Sequence, residues 1–255
     1  MIILKSDIEI ETMRAAGQIV AVALAEMAES IVPGKTTTAD LDRLADEILA
    51  RHEAIPSFKG YRGYPSATCL SINEEVVHGI PGVRVLEEGD IVGIDLGAVV
   101  DGYHGDSAIT LPVGEVSREA QRLIRDTRGA LFAGIRMARV GNRLGDVSHA
   151  IQVYAESRGY SVVRDLVGHG IGREMHEEPQ VPNFGKAGRG PDLEEGMTLA
   201  IEPMLNAGRS QIETLADGWT IVTKDRRLSA HFEHTVAIRK DGPDILTLRP
   251  GETMP

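Results

Sequence analysis

The 255-residue chain has a single cysteine, Cys69, so no internal disulfide framework holds it together and a reducing compartment suits it. It has no apolar run approaching the roughly 20 residues that a membrane-spanning helix needs, and no charged leader precedes an apolar segment. Positive charge is scarce too. Lys and Arg number 27 against 38 Asp and Glu, the net charge is −11, and no stretch is rich in Lys or Arg. Binding to nucleic acid or to an anionic membrane therefore has no electrostatic footing, and neither is an expected partner. No Pro-, Ser- or charge-rich linker divides the chain. With apolar residues at 42 %, it is long enough to bury a full core and reads as one domain, residues 1–255, in the cytoplasm.

What is present is a clear succession of elements. Ser6-Asp7-Ile8-Glu9 is a capping-box pattern, and apolar residues from Ile10 to Met27 recur at helical spacing behind it. Val32-Pro33-Gly34 ends that helix, and Thr37 or Thr38 caps a second one running to Leu49. Two more helices are predicted near 117–139 and 144–158. Strands are predicted at 68–72, within 91–111, and at 161–167, 197–205, 218–225 and 230–238; residues 55–68 and 168–195 read as loops. The order helix, helix, strands thus occurs twice, and "VHGIPG" (77–82) is echoed by "GHGIGR" (168–173). The expected fold is α+β: a curved antiparallel sheet covered by helices, in two pseudo-symmetric halves of about 1–114 and 115–255.

The hairpin "IVGIDLGAVVDGYHGDSAITL" (91–111) carries the first chemical signal. A two-residue turn at Asp101-Gly102 sets Asp106 opposite Gly97 and puts Asp95 and Asp106 on one face as diagonal neighbours. Taken alone, that pattern also fits an edge hairpin with two solvated aspartates. The second half repeats it, however, with Glu202 inside "TLAIEPML" and Glu233 inside "AHFEHTVAI". Four acids buried together would repel and take up protons unless cations joined them. Two divalent ions balance four carboxylates, and His169 in its glycine-flanked loop is a candidate nitrogen ligand. One imidazole among carboxylates suits Mn²⁺, Fe²⁺, Co²⁺ or Zn²⁺.

Five motifs, "NEEVVHGIP", "DIVGIDLGAVVDGYHGDSAITL", "GHGIGREMHEEP", "LAIEPML" and "FEHTVAI", resemble in order and context those of the type I methionine aminopeptidases. The resemblance runs from about residue 6 to about 245 and implies the pita-bread fold. It implies that Asp95, Asp106, His169, Glu202 and Glu233 hold two metal ions, with Asp106 and Glu233 bridging them. By the same resemblance, His78 and His176 contact the substrate and the tetrahedral intermediate, and Glu202 moves the proton of the attacking water. Tyr61, Tyr64, Cys69 and Trp219 would line the methionine pocket, with Phe58 and Met175 as weaker candidates. The implied reaction removes Met from the N-termini of nascent polypeptides, ahead of a small second residue, by a protein expected to be monomeric. Contact with the ribosome is left open. The chain departs from the family at His231, where Gln is usual; lying two residues before Glu233 on a predicted strand, it would share that residue's face.

Rival readings explain less. An Xaa-Pro aminopeptidase or dipeptidase uses a similar cage, but generally with an additional N-terminal domain. Type II methionine enzymes carry a long insertion between the two glutamates, which are only 31 positions apart here. His104-Gly105-Asp106 could start the facial triad of a non-haem iron oxygenase, but that leaves Asp95, Glu202 and Glu233 unexplained. A pita-bread binding protein without metals would lack ligands, whereas all five are present. "GHGIG" lacks the Lys-Ser/Thr of a phosphate loop. His52, His104, His149 and His231 read as structural, and His234, on the opposite face of its strand from Glu233, reads as a support for that residue or as core.

Overall fold

Each helix starts where the sequence supplies a cap. In α1 (Asp7–Glu29) the Ser6 hydroxyl accepts from Glu9 N at 3.4 Å, and Ser6 N donates to Glu9 Oε2 at 2.8 Å. Thr37 and Asp40 repeat this reciprocal pair at α2 (Thr38–Arg51). Ser117 caps α3 (Arg118–Met137), and Asp146 accepts from Arg143 N at the start of α4 (Leu144–Glu156). The computed structural model, which describes residues 1–254, places all four helices close to their expected limits. Among the described residues no helix is long and apolar enough to cross a membrane.

The first half contributes β1 (Ile55–Pro56), β2 (Thr68–Ile72), β3 (Glu75–Val77), β4 (Ile91–Val100) and β5 (Tyr103–Pro112). The second half contributes β6 (Ser161–Val162), β7 (Gly168–Gly170), β8 (Glu177–Val181), β9 (Thr198–Ile201) and β10 (Met204–Asn206). It continues with β11 (Ile212–Thr214), β12 (Ile221–Thr223), β13 (Ser229–His231), β14 (His234–Arg239) and β15 (Gly242–Ile245). In one sheet β4 pairs with β1, β2 and β5; the largest runs β15-β14-β9-β7-β8, and two smaller ones run β13-β10-β6 and β11-β12-β3. Their pairings are antiparallel.

The halves meet along β5. Glu233 N donates to Ala108 O at 2.9 Å, Asp106 N to Thr235 Oγ1 at 3.0 Å, and Thr110 Oγ1 to His231 O at 2.8 Å. On one side of this seam lies the core, where Ile94 and Leu96 of β4, Phe132 and Ile135 of α3, and Leu199 and Val236 belong to one buried cluster. Period-two alternation then turns Gly93, Asp95 and Gly97 to the opposite face. Helix α1 rests directly on β5 because Gly105 brings no side chain to the crossing: a Cβ there would lie 2.6 Å from Gly17 N.

The strands depart from the sequence pattern at informative places. The expected strands 197–205 and 230–238 are each broken at the glutamate, into β9 and β10 and into β13 and β14. The predicted strand 161–167 keeps only Ser161–Val162, and 218–225 only Ile221–Thr223. Conversely, the expected loop 168–195 contains β7 and β8, formed by backbone pairing of residues whose Gly, His and Glu side chains show no strand alternation.

Candidate metal centre

The hairpin has the register its turn residues dictate. Asp101 and Gly102 take φ of 48° and 77°, as a two-residue type I′ turn requires, and Gly97 faces Asp106 while Cys69 faces Asp95. The two glutamates arrive differently. Ile201 pairs with His234 in the five-stranded sheet, and Met204 pairs with His231 in a three-stranded one. Glu202 and Glu233 therefore stand at facing breaks where both strands pass from one sheet to the other. Pro203, which has no N–H to offer a ladder, helps end β9 there. His169 comes from β7, paired with Ala200 and Gln180.

These five side chains converge. Ligand atoms of Asp106, His169 and Glu233 all lie within 4.8 Å of one another. His169 Nε2 is 3.5 Å from Glu202 Oε1, and His231 Nε2 is 3.5 Å from Glu202 Oε2. The Nδ1 of His169 donates to Gly170 O at 2.9 Å, which leaves the Nε2 lone pair facing the acids. His231, expected to share the face of Glu233, thus lies against Glu202, because the chain leaves the regular strand at Phe232.

Burial dominates the electrostatics. It pushes Asp106 up to about 7, with the Glu202 charge adding to the rise. It pushes Glu202 to about 7 as well, against the opposing effect of His169. Asp95 and Glu233 are raised by burial and then by their neighbouring carboxylates. Asp95 Oδ1, Asp106 Oδ1 and Glu233 Oε1 are buried without a hydrogen-bond partner among the described residues. Several buried acids with orphaned oxygens and one correctly presented imidazole nitrogen fit divalent cations.

The acids form the floor of a cavity of about 290 Å³. All of the sequence-predicted site residues line it: the five candidate ligands, His78 and His176, and Tyr61, Tyr64, Cys69 and Trp219. Phe58, Tyr64, Cys69 and Met175 form a buried apolar cluster on one wall, with Tyr61 and Trp219 packed against it. Tyr64 and Trp219 meet edge to face with ring centroids 5.1 Å apart. His176 Nδ1 lies 2.9 Å from Tyr61 Oη, and its ring centroid is 4.2 Å from that of His169. Loss of solvation where the ring faces the cavity, then neighbouring positive groups, pushes His176 down to about 3, so its ring is neutral. With Tyr61 donating to Nδ1, Nε2 carries the proton and can donate into the cavity. His78 is pushed down to about 4, chiefly by burial, and sits at φ 62°, a strained backbone for a non-glycine residue.

Sequence reasoning missed Arg62, Val77, Asp165, Leu166, Val167 and Met204 in the lining. Asp165, Leu166 and Val167 fall in the expected strand 161–167, though their place just before Gly168-His169 is a usable signal. His104 stays outside the cavity, with Nδ1 2.9 Å from Ser57 Oγ. His234 is fully buried with Nδ1 2.9 Å from Thr247 Oγ1, a core residue as expected.

A family model described as metallopeptidase family M24 matches residues 11–240. The chain is 57 % identical over 249 residues to the methionine aminopeptidase of Clostridium acetobutylicum, covering 97 % of this chain and 99 % of that one. It is 52 % identical to methionine aminopeptidase 1 of Bacillus subtilis with the same coverage. Among solved structures, the methionine aminopeptidase from Thermotoga maritima superposes with a TM-score of 0.95 at 52 % identity, over 97 % of this chain and 99 % of that one. The prolidase from Pyrococcus furiosus shares the fold alone, with a TM-score of 0.77 at 23 % identity over 96 % of this chain and 65 % of that one.

Proposed function

The chain belongs to metallopeptidase family M24, and from that membership we propose that it removes the N-terminal methionine from nascent polypeptides whose second residue is small. It is a metal-dependent aminopeptidase with the pita-bread fold. The observation that carries the substrate reading is the joining of two surfaces in one cavity, an acid-and-imidazole floor and an apolar aromatic-lined wall.

On this reading Asp95, Asp106, His169, Glu202 and Glu233 would hold two divalent ions, drawn from Mn²⁺, Fe²⁺, Co²⁺ or Zn²⁺, with Asp106 and Glu233 the carboxylates that would be shared between them. When bound, the ions supply the charge that acidifies a water, polarises the scissile carbonyl and holds the free α-amino group. Glu202 accepts the proton of the attacking water and returns it to the departing amine. His176 donates from Nε2 to the oxyanion that develops on the carbonyl oxygen, and His78 steadies the scissile amide. The wall of Tyr61, Tyr64, Cys69 and Trp219, with Phe58 and Met175, receives the methionine side chain. The whole chain acts as one catalytic domain, as a monomer in the cytoplasm, on the N-termini of nascent chains.

Metal-loaded protein is incubated with Met-Ala-Ser, Met-Pro-Gly and a control peptide lacking the N-terminal Met. Release of free Met from the first two alone is expected, and chelation should abolish it. Cleavage that depends on proline in the second position, whatever the first residue, would instead favour the Xaa-Pro reading.

A further inference from the structure

We infer that the buried Lys5–Glu177 ion pair positions His176 by fastening its loop to the amino-terminal segment. This rests on the proposed role of His176 at the developing oxyanion.

Residues 171–176 connect β7 to β8, so His169 and His176 stand at opposite ends of one connection. His169 is buried in a paired strand, whereas His176 is exposed. Only the Tyr61 and His169 rings flank it, so its placement also depends on what holds the adjoining backbone. Glu177, the next residue, forms an ion pair with Lys5 Nζ, and the two side chains are only 3 % and 6 % exposed. The Lys5 end is itself fixed, since Lys5 N donates to Gly196 O at 2.7 Å and Nζ to Ile3 O at 3.0 Å.

The Glu177 end is tied into the loop. Its Oε1 accepts from Glu174 N at 3.3 Å, Gly172 N donates to Glu174 O at 3.1 Å, and His104 N donates to Gly172 O at 2.8 Å. The pair fills the space beneath the loop so closely that a Cβ on Gly172 would stand 2.5 Å from both Glu177 Oε1 and Lys5 Cε. A second attachment reaches the same loop: Arg173 lies over the Tyr103 ring at 4.3 Å, and the Tyr103 hydroxyl donates to Glu9 in the first turn of α1.

A buried ion pair is a poor way to gain stability, since apolar residues of similar volume usually do as well. What it supplies is a directional, fixed-length link. Here that link ends one residue from a side chain whose Nδ1 must stay within reach of Tyr61 Oη. Lys5 and Glu177 are thus positioning residues that act through the backbone at His176.

Removing one partner would leave a buried charge and could unfold the protein, so the test replaces both, as Lys5→Met with Glu177→Met. Metal content and melting temperature should hold. With Met-Ala-Ser as substrate, kcat should fall about ten- to a hundredfold, the scale of an ångström-sized misplacement, with KM little changed. Introduced into His176→Ala, the double replacement should change kcat less than about twofold, because the group it positions is already gone. A paired variant with parental kcat would overturn the inference. So would a loss that multiplies fully with that of His176→Ala, which would mark a general structural defect. If His176→Ala alone leaves kcat intact, the role assigned to His176 fails first and this inference falls with it.

Discussion

His231 and Glu202 face each other where the second-half strands change sheets, with Nε2 of the histidine 3.5 Å from Oε2 of the glutamate. Burial pushes His231 down to about 3, so the ring is neutral and adds no charge to the acid cluster. It also lies outside the cavity lining, behind Glu202. His231→Gln should therefore keep its bound metal and most of its activity. Asp106→Ala and Glu233→Ala each remove a carboxylate proposed to touch both ions and should lose metal. Metal bound per chain after gel filtration checks this; a Glu233→Ala protein holding two ions would contradict the bridging role.

The hairpin acids were legible because a two-residue Asp-Gly turn fixes its own register, and register alone decides which residues share a face. The helices were legible for an equally local reason, their caps. Glu202 and Glu233 were recognisable as misplaced charges, but the strand breaks that present them were not. Those breaks depend on pairing between segments about thirty positions apart and on the seam with β5. The partner of His231 was hidden for the same reason. Lys5 gave no signal at all, since its carboxylate lies 172 positions away.

Protons and metal should compete for this site. In the metal-free protein Asp106 and Glu202 sit near 7, above the ordinary carboxylate range, so both hold protons in mildly acidic solution. Metal binding needs them deprotonated, so apparent affinity should climb as pH rises towards about 7 and then level off, with protons released below that point. The same shift acts on folding. An acid whose folded value lies above its unfolded value near 4 loses stabilising power as pH rises from about 4 to about 7. The low values of His78, His176 and His231 pull the other way over the same window, so the difference between metal-loaded and chelated protein isolates the acids: the melting-temperature gain from saturating Mn²⁺ should grow as pH rises from about 4 to about 7. A gain independent of pH would contradict the burial of these acids.

The apolar wall should bind without catalysing. Phe58 packs in the cluster with Tyr64, Cys69 and Met175 and makes no hydrogen bond to the acids. Phe58→Ala removes contact that substrate and transition state share, so KM for Met-Ala-Ser should rise roughly tenfold with kcat nearly unchanged. A fall in kcat at constant KM would place Phe58 in the chemistry instead.

His169 is assigned to the proposed metal centre and His176 to the proposed oxyanion site, although their ring centroids are only 4.2 Å apart. His169 presents Nε2 to the acids with Nδ1 committed to Gly170 O, the arrangement of a ligand. His176 Nδ1 lies 2.9 Å from Tyr61 Oη, and with Tyr61 as the donor Nε2 keeps an N–H to donate. A donor to a developing oxyanion strengthens its bond only as charge accumulates, so its loss appears in kcat. His176→Ala should lower kcat by roughly 10²–10³ with KM and metal content little changed. His169→Ala should lose metal, and its activity should recover in part when metal is added in excess. Metal stoichiometry and steady-state kinetics on both variants decide the assignment. Metal lost from His176→Ala and kept by His169→Ala would reverse the two roles, and a His176→Ala protein altered only in KM would make that residue a substrate contact alone.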